Sequence, residues 1–171
     1  MTIMAKNISI IVAVDSNMAI GRAGDQLAYI SDDLKHFKAL TSGHTVVMGR
    51  KTSDALPKGV LPNRRNIIVT RSNTFQREGA ETVHSVDEAL ALIADGDEVF
   101  IMGGGEIYRQ FMPVANTLYI TEIDYKFNDV DTFFPRIDEA EWHVTEHSEW
   151  QCDPKTSLTY RFITYKRANV I

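Results

Sequence analysis

The chain has 171 residues, enough to bury a sizeable core, and we predict a single domain over residues 1–171. Eighteen Lys and Arg against 23 Asp and Glu give a net charge of −5, without the basic excess typical of nucleic-acid binders. The single cysteine, Cys152, excludes an internal disulfide and is typical of a cytoplasmic protein. No apolar run approaches the roughly 18 residues of a membrane span. We therefore expect neither a nucleic-acid nor a membrane partner.

Six apolar, β-branched runs predict strands, and helical patterns separate the first five of them. The predicted strands are Ile8–Val14, Thr45–Met48, Asn66–Val69, Val99–Met102, Thr117–Ile123 and Leu158–Tyr165. The predicted helices are Asp32–Leu40, Lys51–Leu56, Val86–Ala94 (with Ser85 as N-cap) and Glu106–Phe111. Connections through helices favour parallel pairing. The pattern predicts an α/β fold: a mostly parallel, twisted central sheet with helices on both faces and a C-terminal antiparallel hairpin over Trp142–Lys166.

A carboxylate stands at the start of the first predicted helix. Asp33 lies in its first turn, and Leu34 and Phe37 share a face beside it. Such a carboxylate can hold a cationic or amidine-like ring through paired hydrogen bonds, although stabilisation of the helix N-terminus would also account for it. Thr121, on a predicted strand, either bonds within the sheet or orients a carboxylate such as Asp33.

Two predicted strand-to-helix turns present free backbone N–H groups, as anion sites do. The first, Met48–Thr52, adds the charges of Arg50 and Lys51. The second, Phe100–Tyr108, contains three consecutive glycines, which allow close approach to a flat ring or a pyrophosphate. Its glycine spacing differs from the dinucleotide fingerprint of the Rossmann fold.

Other polar residues have less specific spacing. Arg64, in the loop before the third strand, is either solvated or paired with a ligand carboxylate. Thr70 and Arg71 close that strand with a hydroxyl and a further cation. The five histidines are scattered, none at metal-ligand spacing, so no metal site is predicted, and His36 is expected to face outward.

Taken in order, these motifs resemble those of the dihydrofolate reductase family over essentially the whole chain. The stretches that carry the resemblance are Ile11–Ala13 with Ile20–Gly21, Asp33–Leu34 through Phe37–Lys38, Met48–Thr52, Leu61–Pro62 with Arg64, Asn66–Ile68, Met102–Tyr108, Leu118–Thr121 and Asp131–Pro135. The resemblance implies NADPH-dependent reduction of 7,8-dihydrofolate to 5,6,7,8-tetrahydrofolate for one-carbon metabolism, by an enzyme expected to be monomeric.

The resemblance also implies roles for the matching residues. Asp33, supported by Thr121, would hold the pteridine ring as the catalytic pair. Substrate contacts are expected from Ile11, Val12, Leu34, Phe37, Leu61, Arg64, Met102 and Tyr108, with Arg64 at the glutamate tail. Cofactor contacts are expected from Ala13, Ile20, Gly49, Arg50, Lys51, Thr52, Thr70, Arg71, Gly103, Gly104, Gly105, Glu106 and Ile107. The cluster of Arg50, Lys51, Thr70 and Arg71 favours NADPH over NADH, since it would surround the adenosine ribose phosphate.

One segment departs from the family pattern. Where the family usually reads Leu/Met-Pro-Trp before the helix, this chain reads Leu27-Ala28-Tyr29, and Ser31 replaces a second common proline. Ala28 cannot cover the site as a tryptophan would, so Tyr29 would have to fill the space, and the loop Asp15–Leu27 is expected to close less tightly.

Two alternatives remain from the sequence. A pyrimidine reductase of riboflavin synthesis has a similar fold, but would not be expected to keep Asp33 opposite Thr121 together with Arg64. A catalytically silent pteridine-binding protein is compatible with Ala28.

Overall fold

The computed structural model describes residues 6–168, so residues 1–5 and 169–171 of the predicted domain lie outside it. The helices are α1 (Ser31–Thr41), α2 (Arg50–Ala55), α3 (Val86–Leu92) and α4 (Gly105–Phe111). The strands are β1 (Asn7–Val14), β2 (Ala19–Arg22), β3 (Asp25–Gln26), β4 (Thr45–Gly49), β5 (Arg65–Val69), β6 (Ala80–Val83), β7 (Glu98–Ile101), β8 (Thr117–Ile123), β9 (Thr132–Phe133), β10 (Trp142–His147), β11 (Gln151–Cys152) and β12 (Thr159–Arg167).

The main sheet has the strand order β10-β12-β8-β1-β7-β4-β5-β6, with β11 added beside β12. The strands from β8 to β6 pair in parallel, whereas β12 pairs antiparallel with both β8 and β10. The predicted parallel sheet and C-terminal antiparallel hairpin are therefore confirmed. A chain that changes from helical crossovers to a hairpin produces this mixed sheet, because only antiparallel neighbours can be joined by a short turn.

Helices cover both faces of the sheet, as the alternating direction of strand side chains requires. On β1, Ile10 and Val12 pack into the cluster that includes Ala89 of α3 and Phe111 of α4. Ile11 points the other way, into the cluster against which the side chains of α1 pack. Both sides of the parallel strands are buried, which explains why these strands read as continuous apolar runs.

The structure contains strands that the sequence did not indicate. The predicted loop Asp15–Leu27 contains β2 and β3, which form a small antiparallel sheet with the distant strand β9. Elsewhere in the chain, β6 extends the main sheet beside β5. The buried Asp15 carboxylate helps to hold this region, since it accepts hydrogen bonds from the backbone N–H of Ala19 (2.9 Å) and Phe127 (3.0 Å). These strands have two to four residues and lack a clear alternation of apolar and polar side chains. They therefore form because they pair with strands that are distant in the sequence.

The helix ends differ from prediction by one or two residues. Ser85 is the N-cap of α3, as predicted, and its hydroxyl accepts from the Glu88 N–H at 3.1 Å. The helix ends at Leu92 rather than Ala94 because Ile93 is already extended. No helix within residues 6–168 is both long and apolar enough to cross a membrane.

Candidate functional site

The carboxyl ends of the central parallel strands bring the two predicted glycine turns together. After β4, the Gly49 N–H donates to the Gly103 carbonyl at 2.8 Å, and after β7 the Met102 N–H donates to the Val47 carbonyl at 2.9 Å. Ligands of parallel α/β sheets bind outside this end of the strands. The turn that contains Gly49 to Thr52 and the turn that contains Met102 to Ile107 thus form one backbone-lined surface.

Glycine is required where these turns approach each other. Gly103 has a φ of +109°, and a Cβ there would lie 3.1 Å from the Tyr108 ring. The Gly103–Gly104 peptide bond is cis. A Cβ on Gly104 would meet only the Thr52 Oγ1, at 3.8 Å, so its side-chain direction leads into open space. A flat group or a pyrophosphate fits against such bare backbone.

The residues that flank these glycines pack closely. A Cβ on Gly49 would lie 3.0 Å from Ile107, and one on Gly105 would lie 2.6 Å from the Thr132 methyl group of β9. Ile20, on β2, is partly buried against the core cluster of Ile10 and Val12. The small sheet therefore packs against the glycine turn at Gly105.

Asp33 and Thr121 meet, as the sequence predicted. Helix α1 places Asp33 in its first turn, and Thr121 Oγ1 donates to its carboxylate at 2.5 Å. Thr121 stands between Ala13 of β1 and Phe162 of β12 in the sheet register. Burial raises the pKa of the Asp33 carboxyl above its ordinary value, while the Thr121 hydrogen bond and the His36 charge act in the opposite direction. The site thus holds a carboxylate with few partners of its own.

Tyr108 closes the site beneath Asp33. Its hydroxyl donates to the Ile11 carbonyl at 2.8 Å, and its ring packs edge-on against Phe134. Burial raises the pKa of Tyr108, and the Asp33 charge adds to the effect. The hydroxyl is therefore a neutral donor already engaged with the backbone of β1.

The expectation that His36 faces outward is wrong. Its ring is partly buried and stacks on Phe162, with ring centroids 4.1 Å apart and planes 22° apart. Burial lowers the pKa of His36, and Asp33 opposes this shift. The reason is the position of β12, whose Phe162 provides an aromatic surface that periodicity within α1 could not reveal.

The face of α1 beyond Asp33 leads to Arg64. The Arg64 side chain is partly buried, and it donates to the Thr41 hydroxyl at 3.0 Å and to the Pro62 carbonyl at 2.9 Å. Within residues 6–168 it makes no ion pair with a carboxylate. Partial burial lowers its pKa, although an arginine remains charged. The Arg64 guanidinium is fixed by these two hydrogen bonds but is not paired with a protein carboxylate in the described part of the chain, so it is suited to bind an anionic group of a ligand.

Apolar residues lie between Asp33 and Arg64. Phe37, Leu61 and Met102 are partly buried and pack against the core cluster that contains Ile11. Leu34, in contrast, is 50% exposed. The surface between the two charged groups is therefore apolar and partly open.

The predicted phosphate-binding cations lie on two segments, with Arg50 and Lys51 at the start of α2 and Arg71 after β5. Arg50 is at the start of α2, with its guanidinium 4.5 Å from the centre of the Phe75 ring, and Lys51 is exposed beside it. Arg71 is exposed and near enough to Glu106 for its charge to lower the pKa of that carboxyl, after the Gln110 hydrogen bond and the Arg109 charge.

Thr70, directly before Arg71, is held by a backbone hydrogen bond to β6. Its backbone N–H donates to the Val83 carbonyl at 3.0 Å, and its hydroxyl accepts from the Ser72 N–H at 3.2 Å. The hydroxyl thus stabilises the loop that begins after β5.

Tyr29 does not fill the space beside Ala28. Its side chain points outward, 54% exposed, and its hydroxyl donates to the Asp25 carboxylate at 2.5 Å. Ala28 instead borders a cavity of about 440 Å³. The cavity is lined by Arg22, Leu27, Ala28, Tyr125, Phe127, Asn128, Thr156 and Leu158.

Sequence reasoning missed the aromatic neighbours of the charged residues. Phe162 lies under His36, and Phe75 lies under Arg50. Phe75 is the single apolar side chain in the polar stretch 70–79, and this isolation is a signal that a sequence reading could have used. Phe162 lies in an ordinary strand pattern and offered no such signal.

Known proteins match this chain over nearly all of the described residues. The sequence profile of dihydrofolate reductase matches residues 7–167. The chain belongs to the dihydrofolate reductase family. It is 43% identical to the dihydrofolate reductase of Neisseria gonorrhoeae, over 92% of this chain and 96% of that protein. It is 36% identical to the dihydrofolate reductase of Bacillus subtilis, over 95% of each chain.

A solved dihydrofolate reductase has the same fold. The enzyme from Enterococcus faecalis, complexed with NADP(H) and RAB-propyl, superposes with a TM-score of 0.86 at 34% identity, over 95% of this chain and 97% of that one. The likeness confirms the predicted family and fold. It also makes this member of the dihydrofolate reductase family an oxidoreductase.

Proposed function

We propose that this chain catalyses the NADPH-dependent reduction of 7,8-dihydrofolate to 5,6,7,8-tetrahydrofolate. The observation that carries the proposal is the partly buried Asp33 carboxylate, bonded by Thr121 and placed across an apolar surface from the Arg64 guanidinium. A substrate that suits this arrangement has a ring with adjacent N–H donors at one end and a carboxylate at the other. Dihydrofolate has both.

At the ring end, Asp33 accepts hydrogen bonds from N3 and the 2-amino group of the pteridine. Thr121 holds the carboxylate in place through its 2.5 Å bond. A fixed anion in a partly desolvated site favours the protonated pteridine, so the proton that N5 receives from water is stabilised there.

At the other end, Leu34, Phe37 and Leu61 contact the aminobenzoyl group and Arg64 pairs with the glutamate carboxylate. Ile11, Val12, Met102 and Tyr108 border the ring. The Tyr108 bond to Ile11 holds the middle of β1 in place.

The two glycine turns fit a dinucleotide. The Cβ direction of Gly104 leads into open space beside Thr52, while Gly49, Gly103 and Gly105 let the two turns pack closely against Ile107, Tyr108 and Thr132. Ala13 and Ile20 would meet the carboxamide end, and the far end falls to Arg50, Lys51, Thr70 and Arg71, with Glu106 in the first turn of α4. NADPH supplies the hydride that reduces C6 when it is bound there.

The test is the loss of NADPH absorbance when dihydrofolate is added to the purified protein. Conversion of one NADPH for each tetrahydrofolate formed is expected. Binding of folate without turnover would favour the silent pteridine-binding protein, and turnover of an aminopyrimidine ribosyl phosphate instead would favour the pyrimidine reductase.

We further propose that the enzyme acts as a monomer in the cytoplasm. All the side chains in the proposed site come from one chain, and the thiol of Cys152 is exposed and unpaired, as expected of a reducing compartment. Sedimentation at assay concentration, where a single species of about 19.3 kDa is expected, tests the first point.

A further inference from the structure

Two arginines contact one aromatic ring near α2. The Phe75 ring centre lies 4.5 Å from the Arg50 guanidinium carbon and 5.0 Å from that of Arg77. Phe75 is itself partly buried against the core cluster of Ile11 and Met48. The ring is thus a partly buried surface that contacts two cationic groups.

The two arginines share one carboxylate unequally. Arg77 Nη2 lies 2.8 Å from Asp54, within hydrogen-bond distance, whereas Arg50 Nε lies 3.9 Å away. Arg77 also donates to the Ser53 hydroxyl, and its side chain packs where a Cβ on Gly59 would otherwise lie, 2.6 Å from Arg77 Cδ. Arg77 is therefore anchored on the C-terminal side of α2, and it bonds to Oδ1 of Asp54, whereas Oδ2 is the oxygen nearest to Arg50.

The Arg50 guanidinium lies too far from Asp54, at 3.9 Å, for a hydrogen bond to that carboxylate. A guanidinium that stacks on a ring uses its face, while its N–H groups remain in the plane, available for bidentate bonds to a phosphate. Within the described chain, the Arg50 side chain has no hydrogen-bonded carboxylate and is 50% exposed.

We propose that Phe75 and Arg77 are positioning residues for cofactor specificity. Phe75 holds the Arg50 guanidinium over its ring, and Arg77 holds Asp54 by a hydrogen bond at a position beyond hydrogen-bond distance of Arg50, so that Arg50 offers its N–H donors to the 2′-phosphate of the adenosine ribose. This inference rests on the proposed function, in which Arg50 meets that phosphate.

The first test compares affinities for NADP⁺ and NAD⁺ by titration calorimetry, together with the KM values for NADPH and NADH. Phe75→Leu is expected to weaken NADP⁺ binding about threefold and leave NAD⁺ binding unchanged, which is the loss expected for one exposed cation–π contact. Phe75→Tyr is expected to retain the preference. Trp150→Leu is the matched control, since it removes an equivalent stack under Arg161 (4.5 Å) on another element.

The second test uses Asp54. Arg77→Gln frees this carboxylate to pair with Arg50, so NADP⁺ affinity is expected to fall about threefold to fivefold while NAD⁺ affinity holds. Adding Asp54→Asn to Arg77→Gln should restore NADP⁺ affinity, because the competing carboxylate is gone. A purely structural role of Arg77 would not be rescued in this way. This pair of variants decides the matter even where Phe75→Leu does not fold.

Arg50→Ala serves as the reference. If it reduces NADP⁺ affinity selectively while Phe75→Leu and Arg77→Gln leave the NADP⁺-to-NAD⁺ ratio unchanged, the positioning role is wrong and the proposed function stands. If Arg50→Ala itself leaves the ratio unchanged, Arg50 does not meet the phosphate. That result overturns both this inference and the proposed role of Arg50.

Discussion

Replacing Asp33 by Asn tests the centre of the proposed mechanism. The two side chains have nearly the same shape, and the Asn Oδ1 can still accept the hydrogen bond that Thr121 now donates to Asp33 at 2.5 Å. The change therefore removes the negative charge, and it also replaces one oxygen acceptor proposed to face the pteridine with an NH2 donor. The folded site, the apolar surface and Arg64 should all remain.

The expected loss follows from the setting of the charge. At an effective dielectric constant of 20, two unit charges 4 Å apart interact by about 4 kcal/mol. Asp33 is partly accessible to solvent, which reduces the stabilisation of a protonated pteridine to about 3 kcal/mol. We expect turnover of dihydrofolate to fall about a hundredfold at neutral pH.

The assay is single-turnover hydride transfer across a pH series. Burial raises the pKa of Asp33, so the parent enzyme loses its anion as the pH falls through that value, and the gap between parent and Asn variant should narrow there. Near-normal turnover by the variant at neutral pH, or a gap that does not change with pH, would refute the role given to Asp33.

Thermal unfolding supplies an independent check on the same variant. A carboxyl whose pKa is raised by folding stabilises the folded state only below its unfolded-state pKa and loses that contribution as the pH rises. Asp33→Asn should therefore have a higher Tm than the parent at pH 7, and the difference should vanish in acid. Equal Tm values of the parent and Asp33→Asn at pH 7 would mean that burying the charged Asp33 carboxylate does not destabilise the folded state.

Further variants test other parts of the site. Arg64→Leu should raise the KM for dihydrofolate about tenfold or more by removing a charge-assisted pair, and should leave a pteridine that lacks the glutamate tail unaffected. Gly103→Ala should lower the Tm more than Gly96→Ala in parallel melts, because both positions have positive φ but only the first places a Cβ 3.1 Å from the Tyr108 ring. Ala28→Trp should fold and retain activity, since Ala28 borders a cavity of about 440 Å³, and a marked fall in Tm would show that the indole does not fit there.

The sequence predicted those parts of the molecule that depend on short-range pattern. Continuous apolar runs identified the buried parallel strands, and Asp33 was placed correctly in the first turn of α1, whereas its bond to Thr121 was expected only from the family resemblance. The glycines at 103–105 were assigned to the close approach of a ligand ring or pyrophosphate, which stays a prediction, and the structure shows that Gly103 has a φ of +109° and no room for a Cβ beside Tyr108. In each case a local rule of backbone geometry restricts the choice of residue.

Features that depend on distant partners were missed. Periodicity within α1 placed His36 outward, but the stack on Phe162 joins residues from opposite ends of the chain. The small sheet of β2, β3 and β9 likewise exists because Asp131 and its neighbours return to the segment after β1. Ala28 marked a departure from the family, yet only the structure showed that Tyr29 bonds to Asp25 and leaves the cavity open.

The place of β12 between β8 and β10 has a consequence for biosynthesis. Asp33 is bonded by a residue 88 positions later, and Tyr160 donates to the neighbouring Asp32 across 128 positions. Contacts of such sequence separation form late, because the chain entropy of closing long loops must be overcome first. A ribosome-bound chain that ends before Thr159 would lack the strand that flanks Thr121. We therefore expect folate affinity to appear abruptly, when the last strand leaves the ribosome, rather than to grow with chain length.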